Sequence, residues 1–242
     1  MIVLPGMPQE QTASWLGVLD LYDRLSDGWT LIGGQLVHLY CAERGQFPQR
    51  PTNDADAVID VRADPEMLQR FTGTLTDLGF ESAGISAEGN QHRWVRGKAL
   101  IDVLLPDGVG ERASKRQGVS GGPTLPTAGG TQALQRSQVV AVTVDGRQGF
   151  VRRPNLIGAL VVKAAAHSNA GDPGIARHRR DFVLLAGMIT ATDFLDENLT
   201  RKDRQRLRSI VRKIKEDREL LLEVPGAMAA IKRLEDAARL DP

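Results

Sequence analysis

The stretch RPTNDADAVIDV, residues 50–61, decides the fold. Asp54, Asp56 and Asp60 alternate with Ala55, Ala57, Ile59 and Val61. Side chains switch faces at every residue of a strand, so this period of two describes a strand from 54 to 61 with one acidic and one apolar face. Asp54 and Asp56 then project from the same face roughly 7 Å apart along the chain. Two such carboxylates either converge on one ligand or simply face solvent from a half-buried strand.

Working outward, Trp29 to Ile32 reads as a short apolar strand, Gly33-Gly34 as a tight turn, and Leu36 to Ala42 as a helix, followed by a loop reaching Pro51. A glycine pair between strand and helix is either a plain connection or a place where backbone N–H groups approach a phosphate at the helix N-terminus. Downstream, Asp64-Pro65-Glu66 reads as an N-cap, a first-turn proline and a first-turn acid, opening a helix to about Leu78. His92–Arg96 and Leu100–Leu105 flank Gly97-Lys98 as a hairpin. That makes Asp102 the one charge in an apolar strand, costly to bury without a partner. A cation shared with Asp54 and Asp56 would supply one. Hard oxygen ligands in that number suit Mg²⁺ bound together with substrate phosphates, and phosphoryl chemistry of this kind uses two ions roughly 3.5–4 Å apart.

The flanking regions complete the architecture. Trp15, Leu16, Val18, Leu19, Tyr22 and Leu25 mark a first helix ending near Gly28. Residues 106–130, rich in Gly, Ser, Thr and Pro, read as a long loop, either functional or disordered. Val139–Val144 and Phe150-Val151 form a hairpin about Asp145-Gly146. After Pro154 the pattern is helical: Leu156 to Lys163, Phe182 to Met188, Leu207 to Leu221, and a last helix through Ile231 and Leu234. The expected fold is therefore α/β (α+β), with a mixed sheet flanked by helices in an N-terminal domain 1–152 and a helical bundle in 153–242. Lys163, beside a strongly apolar helix face, either snorkels to solvent or is aimed at phosphate. Asp181 lies four residues after Arg177, a spacing that suits an ordinary helical ion pair. Residues 200–220 hold nine Lys/Arg against four Asp/Glu. Leu207, Ile210, Val211 and Ile214 bury one side of that helix, which leaves Arg208, Arg212 and Lys215 on a face that is either merely solvated or bound to the phosphates of a polynucleotide.

Composition sets the outer bounds. A chain of 242 residues with 41% hydrophobic content can bury roughly 70–75% of its unfolded surface without a disulfide or a structural metal. Lys+Arg 31 against Asp+Glu 30 leaves attraction to nucleic acid to local patches. The single cysteine, Cys41, sits among apolar residues and reads as a buried packing residue in a reducing compartment. Without a basic n-region or a long uncharged apolar run, a cytoplasmic protein with no membrane partner is expected.

LIGGQLVHLY, RPTNDADAVIDV, ALIDVLLPDG, LVVKAAAHS and RHRRDFVLLAGM, in that order, resemble the DNA polymerase β-type nucleotidyltransferase superfamily. More narrowly they look like the AbiEii toxin-type family, the toxins of type IV and mycobacterial-type toxin–antitoxin systems. The resemblance spans about Thr30 to Met188. It implies that Gly33 and Gly34 hold a nucleoside triphosphate with Thr52 beside it. It also implies that Asp54, Asp56 and Asp102 bind Mg²⁺, that Lys163 contacts phosphate, and that Asp181 completes the active site. One departure is the family's arginine after the Lys-x-x-Ala pattern: Lys163-Ala164-Ala165-Ala166 is followed by Ala170, and the Arg177–Asp181 segment is the candidate substitute.

The activity implied is transfer of a nucleoside monophosphate from Mg²⁺-bound NTP to an acceptor. The resemblance suggests the 3′ end of tRNA, with growth arrest as the outcome and a cognate antitoxin as regulator. Two alternatives stand beside it. One is transfer to a protein hydroxyl or to a small molecule such as an aminoglycoside; the other is a catalytically silent nucleotide-binding domain.

Overall fold

The structure, a computed structural model, describes residues 1–48, 50–168, 174–195 and 197–240. It divides into two compact units, Met1–Pro154 and Asn155–Pro242.

The first unit opens with β1 (Ile2–Val3) and α1 (Gln9–Arg24), then β2 (Trp29–Ile32), α2 (Gly33–Arg44), β3 (Asp54–Ile59) and α3 (Met67–Asp77). β4 (Glu81–Ser82), β5 (Arg93–Arg96) and β6 (Ala99–Pro106) follow, then a one-turn α4 (Glu111–Ser114), β7 (Pro126–Thr127), α5 (Gly130–Gln135), β8 (Ser137–Val144) and β9 (Arg147–Pro154). The main sheet runs β2-β3-β6-β5-β4, with β7 also paired to β6. It is mixed: β3 and β6 are parallel, whereas β2–β3, β6–β5 and β5–β4 are antiparallel. A second sheet joins β1 parallel to β8 and β8 antiparallel to β9. The β8–β9 hairpin turns at Asp145-Gly146, both at positive φ, which matches the right-handed twist of the paired strands.

α1 shows why this unit is stable. Gln11, Ser14, Trp15, Val18 and Leu19 recur at three- and four-residue spacing and are all buried. Trp15 and Leu19 join Trp29, Phe71, Phe80, Trp94 and Ile101 in one core. Burying a side chain of this size is worth roughly 1.5–3 kcal/mol. Cys41 is buried, as its apolar neighbours imply.

The second unit contains α6 (Leu156–His167), α7 (Ile175–Gly187), a 3₁₀ turn (Ala191–Phe194), α8 (Arg201–Glu216), α9 (Arg218–Glu223) and α10 (Ala227–Ala238). α6 starts cleanly because Asn155 Oδ1 accepts the Gly158 N–H at 2.9 Å. Thr200 and Asp203 form a reciprocal capping box at the start of α8. Every residue from Leu156 to Ala165 is buried, the pattern of a helix packed on all sides. Among the described residues no helix is long and apolar enough to cross a membrane.

Several boundaries differ from the sequence expectation, each for a local reason. The strand from Asp54 stops at Ile59, so Asp60 does not share the acidic face. Asp60 Oδ1 instead accepts the N–H groups of Arg62 and Ala63, folding the chain into a turn. No separate turn precedes α2, because Gly33 is already its first residue. α3 begins at Met67, since Asp64 Oδ1 accepts the Glu66 N–H and holds a non-helical turn before it. The helix expected to reach Leu221 breaks at Asp217, whose carboxylate caps α9 through the Leu220 N–H. Finally, the expected loop 106–130 contains α4 and β7.

Candidate functional site

The register of the main sheet assembles the site. Asp56 is paired with Asp102 across β3–β6, and Asp102 with Arg93 across β6–β5. Directly paired residues point to the same face, so the three side chains form one row over adjacent strands, with Asp54 two residues upstream on that face. Carboxylate oxygens of Asp54, Asp56 and Asp102 all lie within 4.8 Å of one another. Ala55 and Ala57, which alternate with the two acids of β3, are buried.

Two further elements fix the carboxylates. Thr52 Oγ1 donates to Asp54 Oδ1 at 3.1 Å. The N-terminus of α2 lies against Asp56: a Cβ on Gly33 would come within 1.7 Å of Asp56 Oδ2, and Gly33 sits at φ +74°. A Cβ on Gly34 would likewise meet Thr52 Oγ1 at 2.5 Å. Both glycines are thus required by close approach. The residue before α2, Ile32, has no capping side chain, and the first turn holds no acidic residue. The helix therefore presents backbone N–H groups and its positive dipole end beside the acid cluster, a setting that favours an anion such as phosphate.

The donor set passes a simple test of fit for a divalent cation. Three carboxylates from two strands supply hard oxygen ligands within one ion's reach, and a glycine keeps the space beside Asp56 clear of side chain.

Arg93 has no counterpart among the residues singled out by sequence. Its Nε and Nη2 donate to Asp102 Oδ1 and Oδ2 at 2.9 and 2.8 Å, and Nη2 also lies 3.5 Å from Asp54 Oδ2. The hydrogen bonds to Asp102 hold the guanidinium even more firmly protonated than an ordinary arginine; burial opposes this, and the charges of Asp102, Asp54 and Asp56 add to it. The partner that buried Asp102 needs is present within the protein. A signal existed, because a two-residue turn at Gly97-Lys98 fixes Arg93 opposite Asp102 by counting outward.

Ser14 was equally unmarked. This fully buried hydroxyl donates to Asn53 O at 2.5 Å and accepts the Leu100 N–H at 2.9 Å. It ties α1 to the starts of both carboxylate-bearing strands, and no sequence pattern announces such a contact.

In the second unit, Lys163 and Asp181 form a buried ion pair at 2.7 Å. Lys163 therefore does not snorkel to solvent. One turn on from Lys163, burial and the charges of Arg179, His178 and Lys213 hold His167 below the ordinary imidazole range. Ala170 lies outside the described residues. Arg201, Arg208, Arg212 and Lys215 line a groove of about 1000 Å³ together with Glu216 and Glu235. Its charge is mixed, since Lys215 pairs with Glu235 at 2.8 Å and Lys213 with Glu216 at 2.9 Å.

No model of a known protein family matches the sequence, and no curated protein matches it. Among solved structures, the chain is similar to an antigenic nucleotidyltransferase-like protein from Paracoccidioides brasiliensis, with a TM-score of 0.53 and 16% identity over 94% of each chain. A weaker likeness, with a TM-score of 0.46 and 14% identity, covers 87% of this chain and 97% of the antibiotic-resistance factor ANT(2'')-Ia. The first of these shows a nucleotidyltransferase-like fold.

Proposed function

We propose that this protein is a Mg²⁺-dependent nucleotidyltransferase that moves a nucleoside monophosphate from NTP onto an acceptor hydroxyl. The observation that carries this reading is the meeting of Asp54, Asp56 and Asp102 beside the glycine-opened N-terminus of α2, in a nucleotidyltransferase-like fold.

Asp54, Asp56 and Asp102 are the residues that would hold magnesium, in a two-ion arrangement. Held there, magnesium would supply positive charge to activate the attacking oxygen and to offset the charge of the leaving pyrophosphate. Gly33 and Gly34 present backbone N–H groups to the triphosphate, with Thr52 beside it holding Asp54. The acceptor oxygen bonds to the α-phosphorus as the bond from that phosphorus to the β-phosphate's bridging oxygen breaks, releasing pyrophosphate. Asp102 takes the acceptor's proton: each of its oxygens keeps a lone pair beyond the one used by Arg93. Lys163 is assigned to phosphate, and Asp181 to orienting Lys163.

The proposed acceptor is the 3′ end of tRNA, and the proposed role is that of a cytoplasmic toxin held in check by a cognate antitoxin. The motif order that resembles AbiEii-type toxins supports this, and Arg208, Arg212 and Lys215 are the candidate RNA contacts. A second reading is transfer to a protein hydroxyl or to a small molecule such as an aminoglycoside, since the same carboxylate cluster would serve any of these acceptors.

Incubation of purified protein with Mg²⁺, total tRNA and each α-labelled NTP in turn tests the proposal, with Asp54→Asn as control. Label on tRNA with wild type alone is the expected result. Label on an aminoglycoside but not on RNA would favour the second reading, and no transfer to either acceptor or to protein would point to a silent nucleotide-binding domain.

A further inference from the structure

Three carboxylates whose oxygens lie within 4.8 Å repel one another strongly where water is partly excluded, and left alone they would spread or protonate. Arg93 is placed against this. Its fork covers both oxygens of Asp102, and the same Nη2 leans toward Asp54. The Asp102 side chain is only 8% exposed, whereas Arg93 is 42% exposed, so a half-exposed arginine holds the buried carboxylate through both of its oxygens. It reaches there from β5, a strand that contributes no carboxylate to the cluster.

We infer that Arg93 is the resident counter-cation of the acidic cluster, a positioning residue that keeps Asp102 and Asp54 assembled in the metal-free protein and competes with a divalent cation for them. The inference rests on the metal-site reading proposed above. In its chemistry, a fixed monovalent guanidinium stands in for part of a divalent charge. The cluster is thereby formed before substrate arrives, at some expense in metal affinity.

The test compares wild type, Arg93→Gln and the double variant Arg93→Gln/Asp102→Asn, by urea unfolding in EDTA and in MgCl₂ and by Mn²⁺ binding followed by electron paramagnetic resonance. In EDTA, Arg93→Gln is expected to unfold at clearly lower urea than wild type. Mg²⁺ should restore most of that loss while moving wild type little, and Mn²⁺ should bind the variant at least about tenfold more tightly because a competing cation is gone. Removing the Asp102 charge should rescue the double variant in EDTA even if the single variant fails to fold there.

An Arg93→Gln protein as stable as wild type in EDTA would overturn the inference. So would a deficit that neither Mg²⁺ nor the second substitution relieves, or Mn²⁺ binding to wild type with no gain in the variant. These outcomes leave the metal site standing. Absence of Mn²⁺ binding in wild type and variant alike would remove the metal-site reading together with the inference.

Discussion

Gly33 lies so close to Asp56 that a single methyl group on it would fall 1.7 Å from the carboxylate Oδ2. Gly33→Ala is therefore destabilising on two counts: positive φ costs about 1–2 kcal/mol for a residue with a Cβ, and forcing Asp56 aside costs about 1–3 kcal/mol more. Urea unfolding should show the loss, and nucleotide transfer should fall further than stability alone explains, because the displaced group is one of the three carboxylates. A Gly33→Ala protein with wild-type activity would contradict the placement of Asp56 in the reaction.

Asp54→Asn and Asp56→Asn should separate folding from chemistry. Each removes one of three neighbouring negative charges, so unfolding midpoints should hold or rise slightly. Transfer from an α-labelled NTP should drop by about 10²–10³-fold, the rate equivalent of the few kcal/mol that charge stabilisation supplies at such a centre. Retained transfer in either variant would remove that residue from the site.

Lys163 and Asp181 call for a paired substitution. Lys163→Ala alone strands a buried carboxylate and should cost about 3–5 kcal/mol in urea unfolding, whereas Lys163→Met with Asp181→Leu should come close to wild-type stability. If the double variant is stable but inactive, the pair serves the reaction. If it remains active, the pair serves the helical unit alone.

Acid stability gives a test remote from the site. Burial would raise the Asp20 carboxyl, yet hydrogen bonds from Arg147 and Arg96 outweigh it and hold the group below the usual carboxylate range. A depressed folded value means that the unfolded chain binds the proton first. The contribution is thus complete above the unfolded value of about 3.9 and is lost as pH falls through the lower folded value. Asp20→Asn should lower stability at neutral pH and flatten the loss seen as pH falls below the ordinary carboxylate range. Parallel acid curves for the two proteins would show that Asp20 is not linked in this way.

Much of this was legible in the sequence, because it depended on local periodicity. The alternation from Asp54 to Ile59, the turn at Gly97-Lys98 and the helical pattern after Pro154 each follow from neighbouring residues. What the sequence concealed came from tertiary partners or from competing short-range bonds. Lys163 is buried because a carboxylate on the next helix receives it, and Ser14 matters because its hydroxyl meets two strand ends. Asp60 left the acidic face because two backbone N–H groups downstream offered it a turn. Pro126-Thr127 became a strand only by pairing with the C-terminal end of β6, which no pattern inside a Gly- and Pro-rich segment could indicate.

The β5–β6 hairpin also bears on how the chain folds. Arg93 and Asp102 are nine positions apart, whereas Arg93 and Asp54 are 39 apart. A hairpin closes within about 1–10 μs, while parallel pairing of β6 with β3 is non-local and slow. Asp102 should then reach β3 already neutralised, and the slow step avoids bringing three bare negative charges together. A chain without Arg93 would meet that repulsion in its transition state, so its refolding rate should fall more than its unfolding rate rises.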